Sequence, residues 1–252
     1  MEHAMALRTD AGTEEAYGPG LAEIYELVYA ARGKDYAAES AEVTALVKER
    51  RPDASALLDV ACGTGGHLAF FRDHFATVEG LELSEHMSAQ AERRLPGVRV
   101  HQGDMRDFAL GRRYDAVSCM FSSIGYTRSP GELNGALAAM AGHLVPGGVL
   151  VLEPWYFPER FLPGYIADDL VRTEDRVTVR VSHSRRHGDD VPIVVHYIDA
   201  RKDAGIRHFT DVHRMRLFTR EQYETAFERA GCSVEYLTTG RFGCGLFVGV
   251  RA

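Results

Sequence analysis

The segment Leu57-Leu58-Asp59-Val60-Ala61-Cys62-Gly63-Thr64-Gly65-Gly66 joins a short apolar run, an acid and a glycine-rich turn, and a helical pattern runs on from His67 to His74. A β-strand delivers a cofactor-binding loop at its carboxyl end in this way. Glycine lets the backbone approach a ligand where a side chain would stand in the way. The spacing is not the Gly-x-Gly-x-x-Gly of a dinucleotide site, and the Lys-Ser/Thr of a P-loop is missing. A nicotinamide dehydrogenase is therefore disfavoured. The next apolar run, Val78-Glu79-Gly80-Leu81-Glu82-Leu83-Ser84, ends in an acid. In a Rossmann-like unit an acid at this distance past the glycine loop accepts from ribose hydroxyls. The competing reading of Glu82 is a solvated acid at a strand end.

These groups need a sheet to carry them. Helical spacing predicts helices over 21–31 and from Tyr36 to Arg50, the second stopping before Pro52. Strand 57–61, helix 66–74, strand 77–82 and a helix from about Ser84 to Arg94 follow, with Ser84 as N-cap. Strand 98–102 leads into Gly103-Asp104-Met105, and Ala116 to Phe121 reads as a buried parallel strand. A helix from Gly131 to His143, the turn Pro146-Gly147-Gly148 and strand 149–153 complete an α/β, doubly wound parallel sheet. From Leu170 to Leu217 the chain alternates instead, through Val177, Val179, Val181, Val191, Ile193, Val195, Tyr197, Phe209, Val212, Met215 and Leu217. That is antiparallel patterning, with turns at 187–190 and 203–205. Thr219-x-x-Gln222 reads as a capping box opening a helix to Ala230, and Leu246 to Val250 as the last strand. The organisation expected is a flexible tail over 1–16, a cofactor-binding core with N-terminal lid helices over 17–153, an antiparallel substrate cover over 154–216, and a return to the core over 217–252.

Length and charge narrow the class. At 252 residues the chain fits one domain with an insertion. A net charge of −7 argues against a general nucleic-acid binder, although local arginines can still hold an anionic small molecule. No apolar run is long enough to cross a membrane, and residues 1–10 lack the apolar core of a signal peptide. The four cysteines, Cys62, Cys119, Cys232 and Cys244, have no paired spacing, so reduced thiols in the cytoplasm are expected. His183, His187, His196, His208 and His213 match no standard zinc spacing, and no metal is expected. Arg185-Arg186 and the acids near Asp168 read as solvated surface.

The run Asp59-x-Ala61-Cys62-Gly63-Thr64-Gly65 resembles motif I of class I S-adenosylmethionine (SAM) methyltransferases. Further blocks narrow the likeness: Arg32 to Tyr36, Gly103-Asp104-Met105-Arg106-Asp107-Phe108, Cys119 to Gly125, Pro146 to Val149, Glu153-Pro154-Trp155-Tyr156-Phe157-Pro158, Val181 to Ser184, Leu217 to Tyr223 and Gly245 to Gly249. With these the chain resembles the N-methyltransferases of nucleotide-linked amino deoxysugars, which make dimethylamino sugars for macrolide and related antibiotics. The likeness covers nearly everything beyond the first 16 residues.

The resemblance implies SAM as cofactor and a dTDP-linked amino deoxysugar as substrate, with two methyl transfers. It places Asp59, Ala61, Gly63 and Gly65 at the methionine part of SAM, Glu82 at the ribose, Leu83 and Met105 on the faces of the adenine, and Asp104 at its amino group. Met120 and Phe121 would flank the sulfonium, or else simply pack in the core. Tyr25 and Lys34 would reach the cofactor from the N-terminal helices. Tyr17 and Tyr126 are the candidates for orienting the amine or accepting its proton. Family members acting on 3-amino sugars carry histidine where this chain has Tyr126. They usually read Gly-x-x-Gly-Arg-Gly-Leu-Phe near the C-terminus, where this chain has Gly240-Arg241-Phe242-Gly243-Cys244-Gly245-Leu246-Phe247. Either Arg241 is the diphosphate ligand or the diphosphate is held differently; Arg180, Ser182 and His183 contribute or else form a solvated sheet face, Ser122 is a further substrate contact, and Trp155 and Phe157 are surfaces for the thymine or else pack the pocket wall. A methyltransferase for a sugar hydroxyl or another small molecule is the rival; it would demand a firmer base. A SAM-binding regulator without turnover is the rival from another class. The oligomeric state, a homodimer included, and the position of the amine stay open.

Overall fold

The computed structural model describes residues 16–252. The tail expected over 1–16 therefore lies, but for Ala16, outside the described residues. Two helices come first, α1 (Pro19–Ala31) and α2 (Tyr36–Arg50). The core then alternates: β1 (Ala56–Val60), α3 (Leu68–Phe71), β2 (Thr77–Glu82), α4 (Glu85–Arg94), β3 (Arg99–Gln102), β4 (Tyr114–Cys119), α5 (Pro130–Gly142) and β5 (Leu144–Leu152). Four antiparallel strands follow: β6 (Ile166–Arg172), β7 (Arg176–Ser184), β8 (Asp190–Arg201) and β9 (Gly205–Arg216). The chain closes with α6 (Arg220–Arg229), β10 (Cys232–Leu237) and β11 (Leu246–Arg251).

The large sheet has the order β10-β11-β5-β4-β1-β2-β3. Its strands β5, β4, β1, β2 and β3 are parallel, and β11 lies antiparallel between β5 and β10. Strand alternation divides the core between the two faces. Leu58, Val60, Val117, Leu150 and Leu152 meet Leu137 and Met140 of α5 and Phe227 of α6 on one side. Leu57, Ala116, Val149 and Val151 meet Val43 and Val47 of α2 and Leu68 and Phe71 of α3 on the other. A third cluster joins Leu21, Ile24, Tyr25 and Val28 of α1 to Met87 of α4 and to Val195 and Tyr197 of β8. Helix α1 is thus wedged between the core and the four-stranded sheet, and this holds that sheet over the carboxyl ends of the core strands.

Several element limits differ from expectation. The helix expected over 66–74 is only Leu68–Phe71, flanked by i→i−3 turns such as Phe70 to His67 and His74 to Phe71. A Cβ at Gly66 would lie 2.6 Å from the Tyr36 ring, so only glycine fits this turn where α2 packs on it. Strand β4 stops at Cys119, because Phe121 and Ser122 turn into the left-handed region at φ 55° and 59°. The turn expected at 146–148 is absorbed into β5 through a register shift opposite Tyr114 and Ala116. Strand β10 has no counterpart in the sequence reading; it is a half-exposed edge strand whose pattern is weak. Ser84 caps α4, and Thr219 and Gln222 form the capping box of α6, as the sequence indicates.

Candidate active site

A cleft of about 870 Å³ opens at the carboxyl ends of β1, β2 and β4. The glycine loop forms its floor. Ala61, Gly63 and Gly65 have φ of 57°, 57° and 77°, a conformation that tilts backbone N–H groups toward a ligand. Four non-glycine residues among those described have positive φ: Tyr17, Ala61, Phe121 and Ser122. Three of them, Tyr17, Ala61 and Phe121, line this one cleft. Left-handed backbone at bulky residues costs free energy and concentrates at functional sites.

Two buried acids dominate the electrostatics of the floor. Asp59 accepts from Ser118 Oγ at 2.8 Å through Oδ1, while its Oδ2 is buried without a hydrogen-bond partner. Burial pushes its pKa up to about 6. Glu82 accepts from the backbone N–H of Gly63 at 2.9 Å and of Ser84 at 2.8 Å. Burial raises it too, against those hydrogen bonds. Among the described residues neither acid is in a salt bridge with a Lys, Arg or His, so the floor is an acidic hollow suited to a cationic ligand that carries hydroxyls. SAM fits it: its ammonium can take the unpartnered Asp59 oxygen, and the lone pairs left on Glu82 can accept from a ribose. The Cys62 thiol in the same loop is held protonated by burial and is no nucleophile.

Most of the expected cofactor residues converge here. Tyr25, Asp59, Ala61, Gly63, Glu82, Leu83, Asp104, Met105, Met120 and Phe121 line the cleft. Leu83 is 60% exposed, a large apolar side chain left open at the mouth. The Asp104 carboxylate is already engaged: it accepts from Arg106 Nε at 2.9 and 3.0 Å, which lowers its pKa. Gly65 sits just behind the lining, packed against Leu95 and Ala91. Lys34 is displaced from the expected cofactor contact. Its ammonium pairs with Glu39 at 2.7 Å and lies 3.7 Å from the centroid of Phe121, so it braces a lining residue from behind.

The substrate-side expectations fare differently. Phe157 is buried among Tyr223, Tyr236 and Phe247, so it is core and offers no face to a thymine. Trp155 packs against Phe161, Val191 and Met215 under the inserted sheet, outside the cleft lining. Ser122 gives its hydroxyl to the Pro154 carbonyl at 3.0 Å and fixes the loop after β4. Arg180 and Ser182 are buried on inward positions of β7, with Arg180 paired to Asp169 at 3.3 Å. Arg241 lies at the surface, 3.4 Å from Glu42 and 3.9 Å from Asp35.

Tyr17 and Tyr126 come together. Their phenol oxygens are 2.8 Å apart, and both residues line the cleft beside Phe121. Burial raises both phenols well above the ordinary tyrosine value. Strand β9 completes the group with residues the sequence reading missed. His213 Nδ1 is 2.7 Å from the Tyr126 oxygen, and Asp211 Oδ2 accepts the Tyr17 backbone N–H at 3.2 Å. The available signal was a pair of polar residues on the inward positions of an otherwise apolar strand face. Gln102, Arg128 and Arg214 also line the cleft and carried no signal of their own.

A parallel sheet with a glycine loop beside a buried acid at one strand end and a second buried acid at the next has the architecture of a class I SAM-dependent methyltransferase. A family model described as "Methyltransferase domain" matches residues 57–148. A dTDP-3-amino-3,6-dideoxy-alpha-D-glucopyranose N,N-dimethyltransferase of Streptomyces fradiae is 52% identical over 250 residues, covering 99% of this chain and 97% of its own. A dTDP-4-amino-2,3,4,6-tetradeoxy-D-glucose N,N-dimethyltransferase of Saccharopolyspora spinosa is 45% identical over 96% of this chain and 97% of its own. The SAM-bound structure of CalS10, an amino pentose methyltransferase from Micromonospora echinaspora involved in calicheamicin biosynthesis, superposes with a TM-score of 0.83 at 49% identity, covering 91% of this chain and 97% of that one. The chain belongs to the family of SAM-dependent N,N-dimethyltransferases of dTDP-linked amino deoxysugars. Among the described residues no helix is long and apolar enough to cross a membrane.

Proposed function

We propose that this protein transfers methyl groups from SAM to the amino group of a dTDP-linked amino deoxysugar, twice, in the formation of an antibiotic sugar. The observation that carries the reading is the pair of phenols, Tyr17 and Tyr126, 2.8 Å apart at one wall of a cleft whose floor suits SAM. When bound, SAM supplies an activated methyl on a sulfonium, so the difficult chemistry is the cofactor's. The chain's own residues have to align a lone pair with the S–CH₃ axis and exclude water. Phe121 and Met120 supply an apolar wall, and Tyr25 and Tyr126 close it from the N-terminal and β4 sides.

Neither phenol at the wall, nor the His213 ring that meets Tyr126, is a strong base near neutral pH. The phenols are held protonated, and burial beside Arg180 pushes His213 down to about 4. A sugar hydroxyl needs its proton removed as it reacts; an amine brings its own lone pair. A model α-amino group has a pKa of about 7.7–8.0, so a useful fraction is neutral at pH 7. The phenol pair therefore orients an amine by accepting from its N–H, and this wall favours nitrogen over oxygen as the methyl acceptor. For the diphosphate we assign Arg241, whose ion pairs are exposed and cheap to exchange.

The test incubates the protein with SAM and with synthetic 3-amino and 4-amino dTDP-deoxysugars and follows mass. A gain of two methyl groups on one of them is expected. A gain of one only would reject the second transfer, and methylation of a hydroxylated acceptor in place of both amines would reject the substrate class.

A further inference from the structure

Tyr17, Tyr126, His213 and Asp211 form a closed ring of contacts drawn from three remote parts of the chain. The Tyr17 backbone N–H donates to Asp211 Oδ2 at 3.2 Å. The same oxygen lies 3.6 Å from His213 Nε2. His213 Nδ1 is 2.7 Å from the Tyr126 oxygen, which is 2.8 Å from the Tyr17 oxygen. Each phenol has one proton to give, and the oxygen–oxygen contact can run either way. We infer that His213, turned by Asp211, is a positioning residue that takes the proton of Tyr126, so that Tyr17 donates to Tyr126 and faces the substrate amine with its remaining lone pair. The inference rests on the methyl-transfer reading only for its consequence, since the direction of the hydrogen bonds is a property of the protein alone.

The direction follows from the tautomer. A carboxylate only accepts, so Asp211 beside Nε2 favours the tautomer with its hydrogen there, although 3.6 Å is too long for a full hydrogen bond. Nδ1 is then the acceptor. His213 is neutral near pH 7, because it is buried and the Arg180 guanidinium opposes a second proton on the ring. A neutral imidazole with its hydrogen on Nε2 can meet the Tyr126 oxygen only by accepting. Tyr126 has then spent its proton, and the short contact to Tyr17 is completed by the Tyr17 hydroxyl. The left-handed backbone of Tyr17, φ 67°, is held by the Asp211 bond to its N–H. Asp211 thus fixes both ends of the ring. The raised phenols fit this arrangement, in which neither oxygen has to carry charge.

Two experiments test it. In protein labelled with ¹⁵N in its histidines, long-range ¹H–¹⁵N spectra report the tautomer of each ring, and the spectrum of His213→Asn identifies the His213 signals. A neutral ring protonated on Nε2, unchanged from pH 8 to pH 5, is expected. A ring protonated on Nδ1, or an imidazolium at pH 7, overturns the inference whether or not any sugar is methylated. In steady-state assays on the amino sugar, His213→Leu should lower kcat about tenfold with both KM values within about twofold. His213→Asn, whose Oδ1 can accept in place of Nδ1, should recover most of that loss. In a Tyr17→Phe background His213→Leu should cost nothing more; an equal further loss there, or a loss carried in KM, overturns the positioning role. A wild-type protein that methylates neither amino sugar sinks the proposed function instead, and the tautomer still decides the direction of the ring.

Discussion

Lys34 and Phe121 meet face to charge: the ammonium sits 3.7 Å from the ring centroid, and its other side is 2.7 Å from Glu39. Phe121 is in left-handed backbone and donates its N–H to Glu153 at 2.6 Å. One buried cation therefore neutralises Glu39, itself shared with His67 at 2.8 Å, and steadies a strained residue of the cleft wall.

Lys34→Met should destabilise the fold by about 3 kcal/mol, because it removes the one permanent cation paired with buried Glu39 among the described residues and leaves the carboxylate with the His67 ring. Denaturant midpoints measure the loss. Adding Glu39→Gln should restore more than half of it, since the uncompensated charge is then gone. If the double variant is no more stable than the single one, the pair is not the source of the effect.

Glu82→Ala should weaken SAM about ten- to a hundredfold by calorimetry, the range expected for hydrogen bonds to a charged acceptor. Part of the effect is indirect, because the same carboxylate holds the Gly63 N–H and so the shape of the loop. Unchanged affinity would remove Glu82 from the ribose site.

Asp59 makes a pH prediction. Its carboxyl titrates near 6 in the folded protein, against about 3.9 in an unfolded chain. Between those values the folded state binds more protons, so stability conferred at low pH is lost as pH rises from about 4 through about 6. Glu82, also raised, acts in the same direction. At pH 7 Asp59→Asn should therefore be more stable than the parent by on the order of 3 kcal/mol, and the advantage should vanish near pH 4. It should also bind SAM more weakly. Unfolding curves across that range, in the absence of cofactor, test the first part; a constant difference between parent and variant would refute it.

Arg241→Ala should raise KM for the dTDP-sugar about tenfold and leave KM for SAM alone. Restoring the family's arginine with Cys244→Arg in that background should bring KM back down. Should Arg241→Ala leave the sugar KM untouched, the diphosphate is held elsewhere.

The floor of the cleft was legible because its residues are tied to strand ends. Asp59 and Glu82 close apolar runs of period suited to a buried strand, and the glycines between them need φ values that other residues avoid. The inserted sheet was legible as a sheet but not in register. Phe209, Asp211, His213, Met215 and Leu217 share one parity, whereas the apolar series Phe209, Val212, Met215 straddles both faces. Following the hydrophobic residues thus passed over Asp211 and His213, the two polar groups on the buried side. Phe157 was misplaced for a related reason: an aromatic in a loop looks free to meet a ligand until β10 and β11, far along the chain, supply Tyr236 and Phe247 to enclose it. Contacts of that sequence separation leave no local periodicity.

The bond between Tyr17 and Asp211 spans 194 residues. In a chain made at about 5–20 residues per second the first partner is made roughly 10–40 seconds before the second. Contacts this distant also form late by their loop-closure entropy. The glycine loop and the five parallel strands β1 to β5 are made in that interval, whereas β11 and β10, which complete the sheet, come after β9. Synthesis arrested before β9 would thus leave the glycine loop without the strand that holds the Tyr17 backbone, and the parallel strands without the antiparallel edge that completes their sheet.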